Sequence, residues 1–132
     1  FTYNKTIGPS KKRPDANGRN AFGEALGVEC DENQHRTYSC ENNRNMQLIL
    51  DQGINRISIR FNPDAYTDKE GKNHPSCWYI DNRGIWRVKK KRKKEWKERL
   101  GRLCETVECW LTHESGMEFR EIKLFYDGFD PN

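Results

Sequence analysis

Residues 87–99 hold Arg87, Lys89, Lys90, Lys91, Arg92, Lys93, Lys94, Lys97 and Arg99 against Glu95 and Glu98, a local charge of +7 in a chain whose total is +4. Lysine and arginine neutralise phosphates and release their counterions. Trp86 and Trp96 lie inside or beside the same stretch, and exposed aromatic rings stack on unpaired bases. The two residue types together are what binding of single-stranded nucleic acid requires. The remainder of the chain is uneven in the opposite sense: residues 1–20 carry +4, but 21–86 carry −3 and 100–132 carry −4. Such a charge distribution orients a molecule toward a polyanion. The plain alternative is a solvated helix start, but seven cations between Lys89 and Lys97 with one acid among them exceed ordinary salt-bridged patterning. Arg56 and Arg60 alternate with apolar residues and are expected to extend the basic surface from the polar face of a strand. Trp96 heads an apolar stripe and is expected in the core, while Tyr79 and Trp86 are expected to pack within their own hairpin.

A second chemistry is conceivable from the histidines. A metal-independent ribonuclease needs a general base and acid near neutral pH, with cations to stabilise the transition state. His35, His74 and His113, with Glu118 or Glu121, Arg120 and Lys123, supply the residue types, although no spacing marks them as a set. Glu121-Ile122-Lys123 also gives the E-x-K triplet of many metal-dependent nucleases, with Asp64 or Asp81 as an upstream partner, a match that arises by chance in chains this charged. Cys109 and His113 stand four residues apart on the outer side of a helix, which supplies two ligands where a structural metal site needs more. No metal and no cofactor are expected. His74-Pro75-Ser76-Cys77-Trp78 places a cysteine before a tryptophan, but Cys77 opens a strand and lacks the helix N-terminus that would activate a thiolate. Neither a phosphate-cradling glycine loop nor a G-x-S-x-G elbow occurs.

Five cysteines, at 30, 40, 77, 104 and 109, contain no C-x-x-C pair, which argues against zinc ribbons, thioredoxin-like motifs and deaminase zinc sites. A Cys30–Cys40 bridge is the easiest to close, and Cys104 and Cys109 on one helix point too far apart to bridge. Disulfides and export are favoured over free thiols inside the cell, because the aliphatic content is low. Asn4-Lys5-Thr6 is a glycosylation sequon of the kind expected by chance in a chain with 12 asparagines. A first residue of Phe1 is expected of a fragment or a processed form.

These groups must be carried by one domain, since the chain has 132 residues. Leu, Ile, Val and Phe number 24 of the 132, but 15 aromatic residues supply large buried surfaces. A folded domain with a thin aliphatic core follows. Mean hydropathy of −1.12 and the lack of a long apolar run exclude a membrane span. Residues 1–19 read as a basic polar arm and 20–132 as the domain. Asn20 is expected to cap a short helix over residues 21–26, and Arg36 to Cys40 to form a short extended piece. Met46, Leu48 and Leu50 alternate, as do Ile57, Ile59 and Phe61, which predicts a hairpin turning at Asp51-Gln52-Gly53. A polar loop covers 62–76. A second hairpin joins Cys77–Ile80 to Ile85–Val88 through Asp81-Asn82-Arg83-Gly84. Trp96, Leu100, Leu103, Val107 and Trp110 with Leu111 recur at helical period and predict a long amphipathic helix ended by Gly116. Met117 to Tyr126 reads as a last strand whose phase slips at Arg120-Glu121, implying a bulge or burial of both faces.

The expected architecture is therefore α+β: an antiparallel sheet of two hairpins plus a C-terminal strand, packed against one long helix, with a short N-terminal helix. The expected function is engagement of RNA or single-stranded nucleic acid, with another polyanion as the broader partner class, through residues 87–99. A secreted or toxin-type ribonuclease and a protein-interaction module or secreted effector docking on an acidic partner are the alternatives.

Overall fold

The computed structural model describes residues 1–3, 15–34 and 46–131. It is α+β, with mixed sheets, one long helix and one short helix. Strands β1 (Thr2–Tyr3), β2 (Ala16–Arg19) and β3 (Ala25–Cys30) form an antiparallel meander. Helix α1 covers residues 46–52 and precedes β4 (Arg56–Phe61). Two small ribbons follow, β5 (Tyr66–Thr67) with β6 (Asn73–His74) and β7 (Trp78–Ile80) with β8 (Trp86–Val88). A 3-10 turn at Lys90–Arg92 leads into α2 (Lys93–Thr112), and β9 (Phe119–Leu124) closes the order. The main sheet runs β1-β2-β3-β4-β9, and both the β3–β4 and β4–β9 pairings are parallel.

The sheet is thus mixed where the sequence suggested antiparallel strands throughout. Met46 to Leu50 is helical: Leu48 and Ile49 are buried, whereas Met46 and Leu50 are exposed, a helical rather than an alternating burial pattern. Gly53, at φ 65°, stops that helix by donating its amide to Ile49 O at 2.8 Å, so Asp51-Gln52-Gly53 is a helix end and not a hairpin turn. The expected helix over 21–26 is also absent. Asn20 Oδ1 accepts from the amides of Phe22 and Glu24, both at 3.0 Å, and closes a turn instead. Ala25 and Leu26 then enter β3, fully buried beside Arg56 and Ile57 of β4. The described parts of residues 1–19 belong to the sheet through β1 and β2. Residues 36–40 lie outside the described residues.

Parallel pairing sorts the side chains. Leu26, Val28, Ile57, Ile59, Phe61, Ile122 and Leu124 share the face that packs on Trp96, Leu103, Val107, Trp110 and Leu111 of α2. The helical stripe read from the sequence is therefore the core contact, except at Leu100, which is 39% exposed. The helix itself ends at Thr112, before Gly116. The other face carries Arg56, Ser58 and Arg60, all about 1% exposed. Arg56 reaches Asn17 Oδ1 at 3.0 Å and Gln52 Oε1 of α1 at 3.3 Å. A Cβ on Gly27 would stand 2.2 Å from Arg56 Nη2, so a side chain there would displace this guanidinium from its present place. Arg60 holds Asp31 through Nε at 2.7 Å and Nη2 at 2.9 Å, and the Tyr126 hydroxyl also donates to Asp31. The alternation of arginines marks a second buried face, which corrects the expectation that Arg56 and Arg60 extend the basic surface. The register of β9 on β4 is unbroken, so the slip near Arg120-Glu121 is no bulge; Phe119 to Ile122 are half-buried on both faces. Among the described residues no helix is long and apolar enough to cross a membrane.

Cys30, Cys77, Cys104 and Cys109 are free thiols. Cys40 lies outside the described residues, and the expected Cys30–Cys40 bridge is not formed at Cys30.

Removing one partner of a buried ion pair strands the other charge. Asp31→Ala is expected to cost about 3–5 kcal/mol in urea unfolding, whereas Lys94→Gln, an exposed change, should stay within about 0.5 kcal/mol.

Candidate nucleic-acid interface

The basic stretch divides by residue type. The arginines are engaged by the molecule itself: Arg87 Nε lies 2.5 Å from Asp81 Oδ2, and Arg92 Nη1 lies 3.2 Å from Glu95 Oε2. Arg99 is buried. The lysines are different. Lys90, Lys91, Lys93, Lys94 and Lys97 are exposed and form no ion pair among the described residues, while Lys89 is half-buried. The Lys89 amide donates to Cys77 O at 2.7 Å, fixing where β8 leaves the hairpin and the 3-10 turn begins. Lys90, Lys93 and Lys97 then follow at steps of three and four, the spacing that keeps side chains on one side of a helix.

Tyr79 and Trp86 of the hairpin are exposed, contrary to the expectation of packing within it. Trp86 is 60% and Tyr79 42% exposed. The reason is topological: β7 and β8 form a separate two-stranded ribbon, which has too few neighbours to cover both faces. Its turn is well made, since Asp81 Oδ1 accepts from the Arg83 and Ile85 amides at 2.8 and 3.0 Å. Trp78 is anchored by an edge-to-face contact with Trp96, at 5.1 Å and 82°. Trp78, Tyr79, Trp86, Arg87, Val88, Lys90 and Lys93 together line a shallow depression of about 400 Å³. Exposed rings and unpaired lysines therefore meet in one concavity. Beside it, Phe61, Trp78, Trp86, Trp96, Leu100 and Leu103 bound a larger apolar pocket of about 740 Å³, with Glu32, Asp64 and Ser76 also in its lining.

A third concavity, about 380 Å³, has mixed walls in which His74, Glu95, Arg99 and Arg102 stand beside Tyr66 and Phe125. His74 stacks on Tyr66 at 4.5 Å and 5°, with Nε2 2.8 Å from Asp68 Oδ2 and Nδ1 3.8 Å from Glu95 Oε1. The His74 hydrogen bond holds the Asp68 carboxyl below its usual range. For Glu95, partial burial opposes ionisation, but the Cys77 thiol donating at 3.1 Å and the charges of Arg99 and Arg92 outweigh it, and its carboxyl also lies low. Burial, with the bond to Glu95 next, pushes the Cys77 thiol up to about 11. This cluster is a set of mutually satisfied groups that fastens the loop over 62–77 to the start of α2.

The two described histidines are not brought together. His113 follows the C-terminal end of α2, where its Nδ1 lies 2.7 Å from Cys109 O. His74 faces Glu95 near the other end, so roughly 25–30 Å of helix separates them. His35 lies outside the described residues. Glu121 and Lys123 pair with each other at 3.5 Å on β9. Asp81 is taken by its turn and Arg87, and Asp64 Oδ1 accepts from Ser76 Oγ at 3.3 Å. Among the described residues no three His, Cys, Asp or Glu side chains gather where they could hold a metal ion. Comparison with known protein families, curated proteins and solved structures returns no match.

Two outcomes follow from the fastening cluster. A carboxylate whose folded value is depressed stabilises above its unfolded value, and that contribution disappears as pH falls through the folded one. Stability is expected to drop as pH falls below the ordinary values of 4.5 for Glu95 and 3.8 for Asp68. In Glu95→Gln the deficit against the native chain should be largest near neutral pH and shrink in acid, as read by urea unfolding at a series of pH values. In thiol mapping with iodoacetamide, Cys104 and Cys109 should label in the folded state, and Cys77, fully buried, only after unfolding.

Proposed function

We propose that the chain binds single-stranded nucleic acid, RNA foremost, through the β7–β8 ribbon and the start of α2. The observation that carries this reading is the shared concavity in which exposed Trp86 and Tyr79 stand beside Arg87, Lys90 and Lys93. The lysines neutralise successive phosphates, and the rings stack on bases splayed from the strand; the pairing of these two contacts is how proteins hold single strands with little sequence preference. A duplex suits the surface less well, because its bases are stacked away from the rings and the described residues offer no recognition helix set to enter a groove.

Titration of a labelled RNA decamer against salt tests this. Single-strand binding falls with salt at a slope near 0.7 per neutralised phosphate, so replacing Lys90, Lys91, Lys93 and Lys94 by Gln should flatten the log–log slope by up to about 3. Trp86→Ala should weaken binding by about 1–3 kcal/mol, roughly 5- to 150-fold, and leave the slope in place. A slope indifferent to the four lysines would remove this surface from the interface.

A further inference from the structure

Trp78 and Trp86 line both the basic depression and the larger apolar pocket, so the two concavities adjoin and share two walls. We propose that the apolar pocket receives one unpaired guanine of the bound strand, an inference that rests on the nucleic-acid reading above. Its volume, about 740 Å³, is within the range of small-molecule sites, and its composition is that of such a site: aromatic and aliphatic walls with a few polar groups. Trp78 set edge-on to Trp96 and Trp96 tilted against Phe61 at 5.9 Å give the pocket rigid aromatic walls.

Charge orients the nucleotide. Phosphate is drawn to Lys90 and Lys93 in the depression, while the pocket's lining contains Glu32 and Asp64 and no lysine or arginine. The same end of β3 is acidic beyond the lining. Cys30, also in the pocket, is pushed up to about 11 by burial and by the carboxylates of Glu32, Asp15, Asp31 and Asp64. A phosphate is repelled from such a pocket and a neutral base is not, so the base enters and the backbone remains among the lysines. Carboxylates only accept hydrogen bonds. Among the bases, guanine alone presents two adjacent donors, N1–H and the N2 amino group, on its Watson–Crick edge, matching the two oxygens of the Glu32 carboxylate; Asp64, whose Oδ1 already accepts from Ser76, adds only to the negative field.

Tryptophan-fluorescence titrations with three RNA decamers test the assignment on the native chain. All are oligouridylate; one carries a single central guanine, the second a central adenine, and the third a central abasic residue. The guanine decamer is expected to bind about tenfold tighter than the abasic one, a difference within the 1–3 kcal/mol of a stacked base, and tighter than the adenine decamer. Leu100→Trp, which enlarges a 39%-exposed side chain of the pocket wall, should bring the guanine and abasic decamers to equal affinity. Equal affinities on the native chain, with the lysine-dependent salt slope retained, would overturn the pocket and leave the interface standing. A preference for adenine would overturn guanine as its occupant. Failure of every decamer to bind would overturn both readings together.

Discussion

The arrangement of the proposed interface depends on one buried guanidinium. Arg99 is 2% exposed, donates to Asp64 O at 2.7 Å and to Pro75 O at 3.4 Å, and lies over the rings of Tyr66 and Phe125 at 5.1 and 5.3 Å. It comes from the second turn of α2, and its partners belong to the two ends of the loop that precedes the ribbon. One side chain thereby fixes the helix against the segment that delivers Trp78, Tyr79 and Trp86. Arginine suits the task because its planar fork can satisfy two carbonyls, remain charged and stack on aromatic faces at once. Lysine would supply a point charge without the plane.

Arg56 and Arg60 extend the same solution to the far face of the sheet. With 24 Leu, Ile, Val and Phe residues, the chain cannot cover both faces of a five-stranded sheet with aliphatic side chains. One face takes the aliphatic and aromatic core under α2, and the other is filled by guanidinium groups with long methylene stems. Such buried charges add little net stability over a hydrophobic replacement, because desolvation offsets most of the attraction. Their geometric demands are strict, however. Arg60 engages both oxygens of Asp31, and the Arg56 guanidinium in its present place occupies the space left by the missing side chain of Gly27 on the neighbouring strand. Those demands are met only in one register of β3 on β4, so the arginines fix which residues face each other at the centre of the sheet.

These requirements explain what the sequence disclosed. The ribbon and the long helix were legible because their signals are local: a turn closed by Asp81 and Gly84, and a stripe at period 3.6 from Trp96 to Trp110. The central sheet was not. Alternating Arg56, Ser58 and Arg60 carry the signature of a solvated strand face, and only the parallel pairing with β3 and β9, a long-range event, makes that face interior. Met46 to Leu50 is too short for alternation to be told from a helical turn, and Leu48 with Ile49 decides it only once burial is known. Of the candidate interface, the lysines could be read from charge alone. The exposure of Tyr79 and Trp86 could have been inferred from the ribbon's shortness, since three-residue strands without further partners cannot enclose their own aromatic rings. The neutralisation of Arg87 and Arg92 by Asp81 and Glu95 was not visible, because spacing alone does not say which of several neighbouring cations each acid engages.

The unneutralised lysines are the part of the molecule that the fold does not require. Arg92, at the start of α2, makes no side-chain cap, and Glu95, the acid of the first turn, is already engaged by Arg92, Arg99 and Cys77. Lys93, Lys94 and Lys97 therefore stand near the positive end of the helix dipole with little local compensation, at a cost of about 0.3–1 kcal/mol for each cation in the first turn. That cost is small against a domain stability of about 5–15 kcal/mol, so the fold tolerates it. It is also small against what a polyanion bound as proposed would return. Each phosphate neutralised on a single strand contributes to a salt slope of about 0.7, and several together change affinity by orders of magnitude over ordinary salt concentrations. A helix start arranged for stability would exchange these lysines for a cap and acids. Departures from local preference with no compensation inside the fold are concentrated where a protein meets its ligand, and here the departure borders a depression in which, among the described residues, exposed rings and unpaired lysines coincide.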